Sequence, residues 1–451
     1  MKKDEQLVAV NHISSSEPFF MVKSGELMKQ LTAKDEYFER DNPLDLPVNL
    51  GFMMKSGPEA LKHRRIFSQF FVQKHLDKIT PMIEKYTIQK VELIKKDLLK
   101  QSGGDPQKFV KVEMQKYWRE LFSEIVNYIM FGNKDYPEID GMTVPKAVAH
   151  LIGITTKEIN QNPINLLLFT IPSRLGLLPQ CKPMKELYEK IEKACIEMYR
   201  KRTRLSPEER SCNLVDLMVE HNLNCPEDEV LDEEIIKGNL FAFQIAGMDT
   251  SRQVTLTTLH YLSKHPDLYS ELSNEIRKSL FQGGEAKMIG GLENLDNSVY
   301  FNNFLREALR LFSAVPLAFP RIAKKNIKIG KYKIYKGSSF MMAFTGPQYN
   351  PENFRDPKTF KVDRFADTQK LAKDLRKGTY IPFSSGNREC IGKYLAEIFI
   401  KVGLSHFLRE FEIAAVEDFH PRLEMGFNYG LQEVWVQARP RGGVAAGGDP
   451  Q

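Results

Sequence analysis

One stretch limits the fold more than any other: Glu233–Ser263 keeps helical spacing without interruption and contains no proline. A helix of that length extends about 45 Å, the diameter of a domain, so it has to run through a core. The chain can supply that core. It has 451 residues, 42% of them hydrophobic against 27% charged, which excludes a disordered polymer. No run of 18 or more apolar residues is present to cross a bilayer as a helix.

Around this helix the period changes along the chain. Leu7–Asn11 and Pro18–Val22 are apolar runs separated by Ser14-Ser15-Ser16-Glu17 and read as a hairpin. Gly25–Leu31 reads as a short helix and Asp41–Gly57 as a long loop. Helical spacing dominates from Pro58 to about Asn222, broken at Gly103-Gly104-Asp105-Pro106 and at Gln161–Leu178. Further helices are expected at Asp267–Phe281, Phe301–Leu311 and Lys393–Leu408, and short strands at Ile327–Ile329, Lys333–Ile334, Phe340–Phe344 and Val434–Ala438. The pattern predicts a single, mainly α domain with small β-sheets (α+β) over residues 7–438, followed by a disordered Gly/Ala-rich tail at 442–451.

Charge and thiols narrow the function. Lys+Arg number 64 and Asp+Glu 58, a net charge of +6 that implies no dedicated nucleic-acid surface but suits a weak approach to anionic membrane. Cys181, Cys195, Cys212, Cys225 and Cys390 are odd in number and form no C-x-x-C pair, which favours a reducing compartment. Ile164–Pro172 is strongly apolar but too short to span a bilayer; it reads either as a buried segment or as a surface loop dipping into lipid. Gly386–Tyr394 is no phosphate loop, because five residues separate its glycines and Tyr394 replaces the hydroxyl that would hold magnesium. The histidines include no H-x-x-x-H pair for zinc.

Cys390 is placed differently from the other thiols. It lies between a glycine-bearing loop and the start of an amphipathic helix, where amide N–H groups and the positive helix end are expected to lower its pKa. Arg388, two residues away, can meet an anion. Taken alone, these features fit a structural thiol as well as an activated one. Phe383, Gly386, Arg388, Cys390 and Gly392 together complete F-x-x-G-x-R-x-C-x-G, which resembles the haem-ligand loop of the cytochrome P450 family, eukaryotic microsomal type.

The resemblance extends over nearly the whole chain. Glu307-Ala308-Leu309-Arg310 fits E-x-x-R, and with Arg364 it resembles the family's buried Glu–Arg–Arg lock. Ala246-Gly247-Met248-Asp249-Thr250-Ser251 looks like the family's oxygen-activation element. Phe243, Ala246 or Gly247, Thr250 and Val254 share one face of the long helix. Without that resemblance, the same face reads as a close helix crossing with Thr250 bonded back to a carbonyl. Gly57–Arg65 is similar to W-x-x-x-R, with Ala60 in place of Trp, Arg64 in the arginine position and His63 or Arg65 as substitutes. Arg321, after Pro320, matches a further basic position.

The resemblance implies haem b between the long helix and the cysteine loop, with the Cys390 thiolate on iron and Phe383 packed near the sulfur. His63, Arg64, Arg321 and Arg388 would meet the propionates, and Asp249 and Thr250 would deliver protons. It implies a monooxygenase that inserts one atom of O2 into an apolar substrate, with electrons from NADPH through a separate reductase. A peroxide isomerase and a haem sensor are the alternatives, and both are disfavoured by the Asp249–Thr250 pair. The expected location is the cytosolic face of the endoplasmic reticulum with peripheral membrane contact, the family's anchor and first helix being expected to be absent from a chain that begins almost at the hairpin. Walls for the substrate are expected from Asp41–Gly57, Gln161–Leu178, Phe241–Thr250, Ser313–Pro320 and Phe427–Leu431, with Phe243, Leu317, Phe319 and Phe427 prominent.

Overall fold

Leu7–Val10 (β1) and Phe19–Val22 (β2) pair antiparallel as the hairpin pattern requires, in a computed structural model that describes residues 7–10, 19–40, 49–132, 137–161, 181–211, 213–281, 288–318, 320–425 and 428–441. The Ile164–Pro172 segment, Cys212, Phe319, Phe427, the 442–451 tail and the Cys181 side chain lie outside the described residues. After the hairpin come Gly25–Ala33 (α1), Phe38–Arg40 (β3), Gly57–Ser68 (α2) and Gln73–Gln101 (α3). Next are Val110–Glu113 (β4), Met114–Phe131 (α4), Glu138–Ile139 (β5), Met142–Thr143 (β6), Val144–Gln161 (α5), Cys181–Thr203 (α6) and Leu214–Asn224 (α7).

The long helix, Glu233–Lys264 (α8), is 32 residues. Asp232 caps it by accepting the Ile235 N–H at 2.7 Å. Leu240, Leu256, Leu259 and Leu262 are fully buried, and so are Asn239 and Gln244 on other faces, so the helix is enclosed on all sides. Gly247 permits this crossing: a Cβ there would stand 3.2 Å from Val126 Cγ2 of α4. Pro266–Leu280 (α9), Leu292–Asn297 (α10) and Val299–Leu311 (α11) follow, then Arg321–Ala323 (β7), Ile327–Ile329 (β8), Tyr332–Ile334 (β9) and Ser339–Met342 (β10). The chain continues through Thr345–Gln348 (α12), Thr368–Lys377 (α13), Lys393–Glu410 (α14), Phe411–Ala415 (β11), Leu423–Met425 (β12), Tyr429–Leu431 (β13) and Trp435–Pro440 (β14).

The largest sheet has the order β1-β2-β10-β7-β3, with β2 and β10 parallel. A second sheet joins β11, β14 and β4. The expected Glu–Arg–Arg lock forms. Glu307, wholly buried, accepts from Arg310 Nε at 2.7 Å, Arg310 Nη2 at 2.9 Å and Arg364 Nε at 3.1 Å. Arg310 Nη1 also donates to the carbonyls of Gln348 and Pro357, each at 2.7 Å. Removing one partner of such a buried pair costs about 3–5 kcal/mol, so this cluster clamps α11 to the segment leading into the cysteine loop.

Candidate functional site

The cysteine loop is shaped by two residues in the left-handed region, Ser384 at φ 65° and Gly386 at φ 66°. A Cβ on Gly386 would also lie 3.1 Å from Thr32 Oγ1, so the position is both strained and crowded for any other residue. The turn closes when the Cys390 N–H donates to the Phe383 carbonyl at 2.9 Å. Gly392 then caps α14. Phe383, Arg388, Cys390 and Gly392 all line one internal cavity. The expected low thiol pKa is not found. Burial pushes the Cys390 thiol up and outweighs the Gly392 amide and Arg64, which pull it down. Among the other described thiols, Cys195 is fully buried beside Gln244 with its pKa pushed up to about 12, and neither it nor Cys225 reaches the cavity.

The long helix supplies the facing wall. Phe243, Ala246, Gly247, Thr250 and Val254 line the cavity, the face expected from their spacing. The Thr250 hydroxyl donates to the Ala246 carbonyl at 2.8 Å. Asp249 departs from expectation, being absent from the cavity wall. It is buried and ion-paired with Arg252 one turn on, Arg252 Nε standing 3.0 Å from Asp249 Oδ1. Residues three apart share a helix face, which turns the acid away from the hydroxyl beside it.

The polar end of the cavity is cationic. Arg40, Arg64, Arg321 and Arg388 line it. Arg321 Nη1 and Arg388 Nε both donate to the buried Asp35 carboxylate, at 3.0 Å to Oδ1 and 2.6 Å to Oδ2. Arg388 also donates to the carbonyls of Phe52 and Lys55, and Arg40 to that of Met53 at 2.5 Å. Arg40 and Arg321 stand directly opposite across β3 and β7, a like-charge pairing that a sheet disfavours. Burial pushes Arg321 down to about 10 against the pull of Asp35. Arg40 is lowered well below its ordinary value, by burial first and by Arg321 and Arg388 next. The Nε atoms of both are buried without a partner among the described residues. Four arginines face only the shared Asp35 and Glu389, which is itself paired with Lys393, so this wall is short of negative charge and fits a group bearing carboxylates.

His63 does not join them. It is buried on α2 and does not line the cavity, with Nδ1 unpartnered among the described residues and its pKa lowered by burial. Arg65 faces out and pairs with Glu229. Asp35 and Arg40 are the residues that sequence reasoning missed. The apolar walls come from Phe52, Met53, Val126, Ile129, Met130, Leu214, Ala314, Val315 and Ala318. Phe243 packs among Phe67 at 5.3 Å, Phe71 at 5.7 Å and Phe52 at 5.9 Å between ring centroids. Leu317 and the Tyr429–Leu431 strand, expected here, instead line a second cavity.

A family model described as cytochrome P450 matches residues 9–434. Similar curated proteins include cytochrome P450 3A11 of Mus musculus, 23% identical over 95% of this chain and 84% of that protein. Cytochrome P450 4c21 of Blattella germanica is 24% identical over 90% of this chain and 81% of its own length. The probable cytochrome P450 516A1 of Dictyostelium discoideum is 29% identical over 53% of this chain, a match that spans about half, 47%, of that relative's length. Among solved structures, a zebra fish cytochrome P450 with abiraterone superposes with a TM-score of 0.76 at 15% identity, covering 97% of each chain.

Proposed function

The chain belongs to the cytochrome P450 family of haem-thiolate monooxygenases, and on that premise we propose that it oxidises an apolar small molecule with electrons passed from NADPH by a separate reductase. One observation carries this reading: Cys390, the helix face of Ala246, Gly247 and Thr250, and the four arginines line the same cavity, whose remaining walls are mostly apolar. A bound haem would supply the oxygen chemistry, and a thiolate ligand would strengthen it by donating electron density to the iron. Cys390 is the residue to hold the iron, and Arg40, Arg64, Arg321 and Arg388 are those to hold the propionates.

The remaining work falls to the protein's own side chains. Phe52, Phe243, Val126 and Val315 exclude water and give an apolar substrate its contacts. Ala246 and Gly247 keep bulk away from the helix wall. Thr250 donates its proton to Ala246, so its oxygen lone pairs are free to accept from a water in the cavity and hold it there. Handing a proton inward requires the hydroxyl to rotate off the Ala246 carbonyl. Asp249 enters the relay on leaving Arg252, which keeps proton supply closed in the resting arrangement.

Turnover with NADPH, a microsomal reductase and isotopically labelled O2 tests the reading. One labelled atom should appear in product and one in water; conversion of a peroxide without NADPH would overturn it in favour of isomerase chemistry. Peripheral contact with the cytosolic face of the endoplasmic reticulum belongs to the same proposal. It is supported by the net charge of +6 and the apolar Ile164–Ile171 segment. No described helix is long and apolar enough to cross a membrane. Flotation with liposomes should weaken when Leu167→Asp and Phe169→Asp are introduced together, and equal partitioning would remove the proposal.

A further inference from the structure

Residues 313–318 form a wall one chain thick. Ala314, Val315 and Ala318 face the cavity that holds Cys390, whereas Pro316 and Leu317 face a second cavity of about 630 Å³ on the other side; Ser313 borders both. The wall is fixed in place. Leu317 bridges Ala343, the Ala318 N–H donates to Met342 at 2.9 Å, and the Phe344 N–H to Pro316 at 2.8 Å. From the other side the Tyr429 N–H donates to the Ala314 carbonyl at 2.8 Å. A backbone bonded on both sides does not collapse into the space beside it, and the volume lies within the range of small-molecule sites.

The lining identifies the occupant. Most of the surface is apolar, from Met21, Leu311, Phe312, Leu317 and Leu431. Among the described lining residues none is Asp or Glu, and the one cation, Lys23 just after β2, forms no ion pair with a described residue. Thr250 and Thr255 of α8 bond back to carbonyls of their own helix, but the Thr257 hydroxyl, which lines this cavity, forms no hydrogen bond among the described residues. An apolar hollow with a free hydroxyl and an unpaired lysine on its lining matches a molecule that is apolar along its body and anionic at one end.

We propose that this second cavity is a binding site for a carboxylate amphiphile, its apolar body against Leu317 and its carboxylate at Lys23, separated from the Cys390 cavity by the Ser313–Ala318 wall. The site does not depend on the oxidation chemistry, so its test reads binding alone. Dodecanoate is titrated into the haem-loaded protein by calorimetry, with dodecanol as the uncharged control. Saturable dodecanoate binding is expected. Lys23→Glu should weaken it by about tenfold, the loss of one ion pair and its replacement by repulsion, while dodecanol binding stays unchanged. Leu317→Trp, which fills the cavity, should weaken both ligands and leave the absorption spectrum of the haem as it was. Absence of saturable binding overturns the proposal, as does dodecanoate affinity unaltered by Lys23→Glu. The Lys23 side chain is only partly buried, so that variant decides the case if Leu317→Trp fails to load haem.

Discussion

Thr250 donates its hydroxyl proton to the Ala246 carbonyl one helical turn back, at 2.8 Å. The alcohol expected to supply protons is thus satisfied by its own helix at rest, and its acid neighbour is held by Arg252. Replacing Thr250 by Ala removes the water acceptor without opening the helix. Haem content and substrate affinity should persist while product formed per NADPH falls by about tenfold, with peroxide released instead; water that substitutes for the hydroxyl keeps the loss below the full effect of a positioned acid. Thr250→Ser should retain coupling. Unchanged coupling in Thr250→Ala would defeat the role assigned to this residue.

The arginine wall predicts a contrast between two basic residues. Arg321 lines the cavity with a free Nε, so Arg321→Gln should weaken haem retention by about tenfold or more, the order of one hydrogen bond to a charged group. His63 is buried elsewhere, so His63→Gln should leave retention unchanged. Transfer of haem to an excess of apomyoglobin measures both. Equal effects from the two variants would show that the wall is assigned wrongly.

The contrast also shows what was legible in the sequence. Cys390 and its loop stand within ten contiguous positions, and Glu307–Arg310 within four, so local spacing carried them. Asp35 and Arg40 gave no such signal. They are ordinary charges that meet Arg321 and Arg388 only because β3 pairs with β7, which places Arg40 opposite Arg321, a residue far along the chain. The β7 strand was missed because three residues between Pro320 and Lys324 are too few to display a period. The α13 helix is not legible because Leu371 and Leu375, four apart in ten otherwise mostly polar residues, make too short a stripe to establish a period. Asp249 was placed beside Thr250 by adjacency, although neighbours in a helix point about 100° apart; Arg252 at i+3 was the available clue to its true partner. Leu317 faces the second cavity because the bends of the 313–318 wall turn residues 316 and 317 away from 314, 315 and 318, and nothing local in the sequence says which side meets the ligand.

Acid stability should depend on His260. Burial pushes its pKa down to about 4, with Lys264 and His420 acting in the same direction, and its ring meets Phe419 edge-on at 5.8 Å. A histidine whose folded pKa lies below its unfolded value of about 6.5 binds protons preferentially in the unfolded state. Its effect is therefore absent above about pH 6.5, and stability is lost progressively as pH falls from there to about 4. Denaturant midpoints at pH 7.5 and pH 5 should converge in His260→Phe relative to the native chain. An identical drop in both proteins would exclude His260 as the source.

The central claim is that Cys390, alone among the five cysteines, ligates haem iron, and the absorption spectrum of the reduced protein under carbon monoxide tests it most directly. The native chain should show the strongly red-shifted Soret band of thiolate ligation, and so should the variants in which Cys181, Cys195, Cys212 or Cys225 is replaced by Ser. Cys390→Ser should lose that band. A native spectrum without it, or its survival in Cys390→Ser, would contradict the account.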